Sequence, residues 1–287
     1  MIFSYGYKPS PIIRSRARER MNELTFGVEL EVDNGPAPAC EPTTDRINEL
    51  TDRVYCKHDG SLTTGFEIVS HPGTLAHHMY EMPWRGICAK AKKAGFTSHD
   101  AGTCGLHIHV GRAQMGADDD EREMVARKII VIVNRYWTEL TRYTRRRSAQ
   151  LNRWAAINPI PGYALDTEIT DEWARSHIRV HNTHSDRYHA INCENEATIE
   201  FRIFRGTLKR DTLIAALQLV WNIVNYAMSH TWDEIQHSAW IDVAQYKHWN
   251  ENDAYLALRG LAAPCPPAYN TQRTPNFGGR DGINGAR

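Results

Sequence analysis

Four separate stretches of the chain carry charged and imidazole side chains at every-other-residue spacing: Glu29 and Glu31, Glu67, His107 and His109, and Glu200 and Arg202. A solvated sheet face, on which polar residues alternate with apolar ones, is the ordinary explanation of any one such stretch. Three features of the set go beyond it. None of the four stretches contains lysine, a common residue on a solvated face. Glu29 and Glu31, two apart on a strand, point the same way about 7 Å apart. Such like charges disfavour joint ionisation unless a cation lies between them. His107 and His109 repeat the spacing between Gly105 and Gly111, and glycines there leave room for a ligand near the backbone. Carboxylates with few imidazoles suit a hard cation such as Mg2+ or Mn2+, whereas a set rich in cysteine and histidine would indicate zinc. Arginine beside the last glutamate offers bidentate phosphate contacts. Residue types alone therefore indicate a divalent metal plus a phosphoryl group, with kinase, nuclease, phosphatase and ligase all open.

These residues need strands to aim them. Leu24 to Asp33 sets Phe26, Val28, Leu30 and Val32 against Gly27, Glu29, Glu31 and Asp33. Phe66 to Ser70 sets Glu67 and Val69 against Phe66, Ile68 and Ser70, and Leu106 to Val110 sets both histidines against Leu106, Ile108 and Val110. Thr198 to Arg205 sets Ile199, Phe201 and Ile203 against Thr198, Glu200, Arg202 and Phe204. One apolar face per strand is what an antiparallel sheet covered on one side requires. The spacing predicts a long helix over Asp118 to Arg147, acidic at its start and ending in three arginines that match the helix dipole. A second helix is N-capped by Asp211, and a third opens with the capping box Thr231 to Glu234. Weaker helices run from Leu75 to Ala94, stopping at Gly95, and from Asn250 to Leu258, closed by Gly260. The fold class is α+β: an antiparallel sheet with helices packed on its apolar face.

The chain has 287 residues, 41% hydrophobic, with 34 basic and 34 acidic side chains. That length sustains a real core, and the balanced charge argues against a dedicated nucleic-acid binder. No apolar run in the sequence approaches the roughly 18 residues of a membrane span. Met1 to Arg20 has no apolar segment of a secretory signal, and the six cysteines form no C-x-x-C pair, so a cytoplasmic setting with reduced thiols is expected. Residues 1–23 read as an arm and residues 262–287, full of Pro, Gly and Asn, as an irregular tail. Asn152 to His184 lacks periodicity and reads as an insertion over the site.

Taken together the motifs resemble a known superfamily. Phe26-Gly27-Val28-Glu29-Leu30-Glu31 resembles the opening G-x-E-x-E strand of the carboxylate–amine ligases, which include glutamine synthetase and glutamate–cysteine ligase. Asp59-Gly60-Ser61-Leu62, with Glu67-Ile68-Val69-Ser70 and Pro72, is similar to the second block, and Gly105 to Val110 to the histidine strand. Ile199-Glu200-Phe201-Arg202 is similar to the late acidic-x-arginine strand. The order of the four blocks, the short length and the ending E-F-R-x-F-R-G-T-L look most like the compact amidoligase branch.

The resemblance implies a funnel-shaped site on the sheet that uses ATP and Mg2+ or Mn2+ to join a carboxylate to an amine, borne by small molecules or by protein side chains. It implies Glu29, Glu31, Glu67, His107 and Glu200 as metal ligands, with His107 and His109 near the ATP phosphates. Arg202 would hold the transferring phosphoryl group, helped by Arg205, and Arg187 would lie near substrate or phosphate. Some relatives assemble into rings, so a homo-oligomer is compatible. The competing readings are a metal-dependent phosphohydrolase or nuclease, and a non-catalytic binding relative, against which the complete glutamate set argues.

Overall fold

Alternation of Phe26, Val28, Leu30 and Val32 with Gly27, Glu29 and Glu31 places strand β1 (Thr25–Val32) in the middle of an antiparallel sheet. The computed structural model describes residues 1–15, 23–180 and 187–262. Its other strands are β2 (Val54–Lys57), β3 (Phe66–Ser70), β4 (Gly73–Thr74), β5 (Gly105–Gly111), β6 (Ile191–Asn192) and β7 (Thr198–Arg205). Their order is β2-β3-β1-β5-β7-β6, with β4 pairing the start of β1. Phe26, Val28, Leu30, Ile68, Leu106, Ile108 and Phe201 are buried on the face that the helices cover.

The helices are α1 (Cys40–Leu50), α2 (Leu75–Tyr80), α3 (Trp84–Lys93), α4 (Asp119–Arg135), α5 (Trp137–Thr144), α6 (Ser148–Trp154), α7 (Asp171–His177), α8 (Arg210–Ser229), α9 (Trp232–His237), α10 (Trp240–Ala244) and α11 (Asn250–Arg259). Central among them is α8, which packs against α2, α3, α4, α10, α11 and β5. It buries Leu213, Leu217, Val220 and Val224, as the stripe in its sequence requires. Among the described residues one helix, α8, is long and apolar enough over an 18-residue window to cross a membrane, which the expectation of no such run overlooked. Here 72% of that window is buried inside the protein, as in the core helix of a folded domain.

Several boundaries differ from the expectation for physical reasons. The helix expected over Asp118–Arg147 is two helices broken at Tyr136, whose backbone leaves helical geometry (φ −107°, ψ 29°). Its hydroxyl donates to the Ser238 carbonyl at 2.6 Å and its ring meets Trp240. Arg145–Arg147 then lie beyond the helix end, with Arg145 left-handed at φ 58°. The helix expected over Leu75–Ala94 is split by Pro83, which has no N–H to donate and disfavours helical backbone before it. Asp211 is not the N-cap of α8 but an acidic residue of its first turn; Lys209 occupies the cap. The Thr231–Glu234 capping box forms, and left-handed Gly260 closes α11. Asn152–His184 is partly helical, carrying the end of α6 and all of α7. The tail expected at 262–287 lies outside the described residues from 263 onward.

One further correction concerns β7. A bulge opposite β5 shifts the register between Leu106–Phe204 and Ile108–Phe201. An extra residue inverts parity beyond it, so Phe204 joins the apolar core rather than the polar face. Residues 1–15 add to the sheet side of the fold. Phe3 bridges Lys57, Arg14 bridges Gly73, and Phe3 stacks on Tyr7 with ring centroids 3.8 Å apart.

Candidate active site

Register decides which polar residues meet. Glu31 pairs directly with Glu67 across β1 and β3, Glu29 with His107 across β1 and β5, and His109 with Glu200 across β5 and β7. Side chains of paired residues stand on the same face. The polar positions therefore converge in one cleft of about 690 Å3, which Glu29, Glu31, Glu67, His107, His109, Glu200 and Arg202 all border.

Within it the His107 ring sits among three carboxylates. Its Nδ1 is 3.4 Å from both Glu29 Oε2 and Glu200 Oε1, and its Nε2 is 4.0 Å from Glu31 Oε1. His109 Nε2 lies 3.4 Å from Glu29 Oε1, and its Nδ1 is 3.2 Å from Thr198 Oγ1. Glu200 also accepts from Arg202 and, at 2.7 Å, from Asn192 Nδ2. The Glu31 carboxylate accepts from the backbone N–H of Gly105. Glu67 Oε2 is 3.1 Å from Lys57 Nζ.

Burial and the neighbouring charges compete at each of these groups. Desolvation, with the charge of Glu29 adding to it, holds the Glu67 carboxyl well above its ordinary range; desolvation likewise raises Glu31. Burial also acts on Glu29, but His109 and His107 beside it prevail and hold it well below the ordinary value. Glu200 is lowered in the same sense by Arg202 and the two histidines against the effect of burial. His109 is raised by Glu29 in spite of its burial.

Among the described residues two groups could hold a cation: Glu29, Glu67 and His107, and Glu29, His109 and Glu200. In each, one ligand atom per residue lies within 4.8 Å of the others. The donor set fits a hard divalent ion, being mostly carboxylate oxygen. A buried atom left without a hydrogen bond, His107 Nε2, points the same way. Such an orphan is costly unless something else satisfies it.

Of the three arginines expected at the site, Arg202 and Arg187 border the cleft. Arg202 Nε donates to the Trp154 carbonyl at 3.2 Å, and Arg187 shares a hydrogen bond with Tyr5. Arg205 does not reach the cleft. It donates to the His99 carbonyl at 2.7 Å and to Asp100 at 3.0 Å, and faces a neighbouring cavity of about 800 Å3. Asp33, expected on the polar face, instead closes the loops beside the cleft. Its carboxylate accepts from Thr63 N, Thr64 N and Thr103 Oγ1 at 3.0, 2.7 and 2.8 Å.

Lys57, Asn192 and Arg146 are among the cleft residues that escaped the sequence reading. Lys57 belongs to β2, whose four residues do alternate, with Tyr55 and Lys57 opposite buried Val54 and Cys56; the face is therefore not free of lysine. Asn192 follows the Arg187 segment on the two-residue strand β6, too short for any period to show. Arg146 was concealed in a run of arginines that reads as a solvated helix end.

With the geometry described, comparison adds the family. The model of the family described as "Putative amidoligase enzyme" matches residues 43–224, more than half of the chain. The chain belongs to the amidoligase family. The matched span holds Glu67, His107, Glu200 and Arg202, and β1, which lies before it, brings Glu29 and Glu31 to the same cleft. Among solved structures the chain is similar to the ligand-free form of GmaS, at 13% identity and TM-score 0.42, over 72% of this chain and 54% of that one. It is also similar to the complex between the prokaryotic ubiquitin-like protein Pup and its ligase PafA, at 12% identity and TM-score 0.36, over 72% and 47%. The chain thus spans about half the length of these two structures. No curated protein matches it.

Proposed function

We propose that this amidoligase joins a carboxylate to an amine at the expense of ATP, through an acyl phosphate, with Mg2+ or Mn2+ in the cleft. The observation that carries this reading is the pair of carboxylate–histidine groups that share Glu29, set beside Arg202. Metal held by carboxylates in a buried cleft is the setting in which phosphoryl transfer from a nucleotide is promoted.

The residues take roles by position. Glu29, Glu31, Glu67, His107 and Glu200 would hold the metal, with His109 as a further ligand or a nucleotide contact. A bound divalent ion would neutralise the nucleotide's phosphates and polarise the transferring group. Arg202, tied to Glu200 and to the Trp154 carbonyl, presents its remaining donors to that group. The substrate carboxylate attacks the terminal phosphorus and ADP leaves; the amine then attacks the acyl carbon and phosphate leaves. The amine must shed a proton, and Asp59, which borders the cleft outside the two cation groups, would receive it. Arg187 and Tyr5 border the cleft and would meet the carboxylate or the amine, small molecule or protein side chain. The nucleotide requirement fits a cytoplasmic setting.

The test is a screen for ADP release over pairs of carboxylates and amines with Mg2+ or Mn2+. Release that needs both partners, and that Glu29→Gln and Glu200→Gln abolish, supports the ligase. Metal-dependent phosphodiester cleavage without nucleotide would instead establish a phosphohydrolase.

A further inference from the structure

The geometry points to Arg146 as a second guanidinium, beside Arg202, that receives the terminal phosphoryl group of the nucleotide. The inference rests on the ligase reading above. Chain direction supplies the first observation. Arg145 adopts a left-handed backbone (φ 58°) just past α5. A non-glycine residue there costs of order 1–3 kcal/mol, a strain that structures keep where it serves a site. Its effect is to turn the next side chain inward. Arg145 and Arg147 are exposed, whereas Arg146 is 5% exposed and borders the catalytic cleft.

Arg146 is also under-satisfied. It donates to the backbone carbonyl of Arg202, so it braces the strand that carries the other cleft arginine. Its Nε has no hydrogen-bond partner, and among the described residues no carboxylate lies within 4 Å of its guanidinium. A buried cation with no counter-charge in contact is expensive, and an arriving oxyanion would relieve that cost. The two donors are also brought together. A Cβ at Gly105 would come within 3.1 Å of Arg146 Nη2 and 2.9 Å of His107 Nε2, so glycine there lets guanidinium and imidazole approach the same backbone point. An anion placed beside His107 is thus also beside Arg146. Arg205, which the resemblance implied as the helper of Arg202, has its donors on His99 and Asp100 instead.

Of the groups a nucleotide brings, the terminal phosphoryl is the one that ATP carries and ADP lacks, so the two nucleotides separate a contact to it from any other. The experiment measures binding of Mg–AMP-PNP and of Mg–ADP by calorimetry to wild type, Arg146→Gln and Arg146→Lys, with thermal melting as the folding check. Loss of a charged hydrogen bond weakens binding about 10- to 100-fold. Arg146→Gln is expected to lose that factor for AMP-PNP while ADP affinity stays within about threefold, and Arg146→Lys to recover part of it. Equal losses for both nucleotides, or no loss for either, would overturn the assignment and leave only the brace to Arg202. If wild type binds neither nucleotide, the ligase reading itself fails, a result separate from failure at Arg146 alone.

Discussion

Replacing Asp33 with asparagine tests how the cleft is framed. Asp33 is fully buried at the end of β1. One carboxylate oxygen accepts from Thr63 N and Thr103 Oγ1, the other from Thr64 N. Asparagine preserves the shape but can offer only one acceptor oxygen. Oriented to keep the Thr63 and Thr103 bonds, it turns an N–H2 toward the Thr64 N–H, so one bond is lost and two are reduced from charged to neutral. Hydrogen bonds to charged groups contribute about 1.5–3 kcal/mol and neutral ones about 1, so Asp33→Asn should cost at least about 2.5 kcal/mol. The pH dependence follows with a definite sign. Burial works to raise the Asp33 carboxyl, but the Thr63 and Thr64 N–H groups and the Thr103 hydroxyl lower it on balance. A depressed carboxyl stabilises the fold above its unfolded-state value and loses that contribution as pH falls through the folded one. Urea denaturation of both proteins should therefore show the difference shrinking from about pH 6 toward about pH 3. A difference below about 1 kcal/mol, or one constant over that range, would refute the argument.

Other consequences can be checked alongside. Glu29 belongs to both cation groups and Glu200 to one, so Glu29→Gln should abolish high-affinity Mn2+ binding while Glu200→Gln removes one class of site; electron paramagnetic resonance titration distinguishes them. Burial raises the Glu31 and Glu67 carboxyls without metal, so metal uptake should displace protons and weaken as pH falls toward those raised values, which calorimetry in buffers of different protonation enthalpy measures. Arg205 anchors the loop containing His99 and Asp100; Arg205→Ala should speed hydrogen exchange there while leaving the preference for AMP-PNP over ADP unchanged.

Much of this site is legible because β-strand parity is strict. Glu29, Glu31, Glu67, His107, His109 and Glu200 each lie opposite a buried apolar neighbour, and period-two alternation needs no tertiary knowledge. Pairing partners are a different matter: that Glu31 faces Glu67, or that His109 faces Glu200, is fixed by loops and by register. The β7 bulge shows the limit of parity, since one inserted residue moved Phe204 into the core. Arg146 shows another, because a left-handed turn at Arg145 converts a surface-like charge run into a buried cation. Lys57 was obscured by the brevity of β2. Where helices end was set by Pro83 and by the contact of Tyr136 with Ser238, the first a local signal and the second a tertiary one.

The central claim is that the cleft activates a carboxylate by phosphorylation, and isotope transfer tests it most directly. With any carboxylate–amine pair that supports ADP release, the carboxylate oxygens are labelled with 18O and the products are read by mass spectrometry. An acyl phosphate requires one labelled oxygen to appear in the inorganic phosphate, alongside the new amide. Phosphate free of label, or label carried into AMP, would contradict the account.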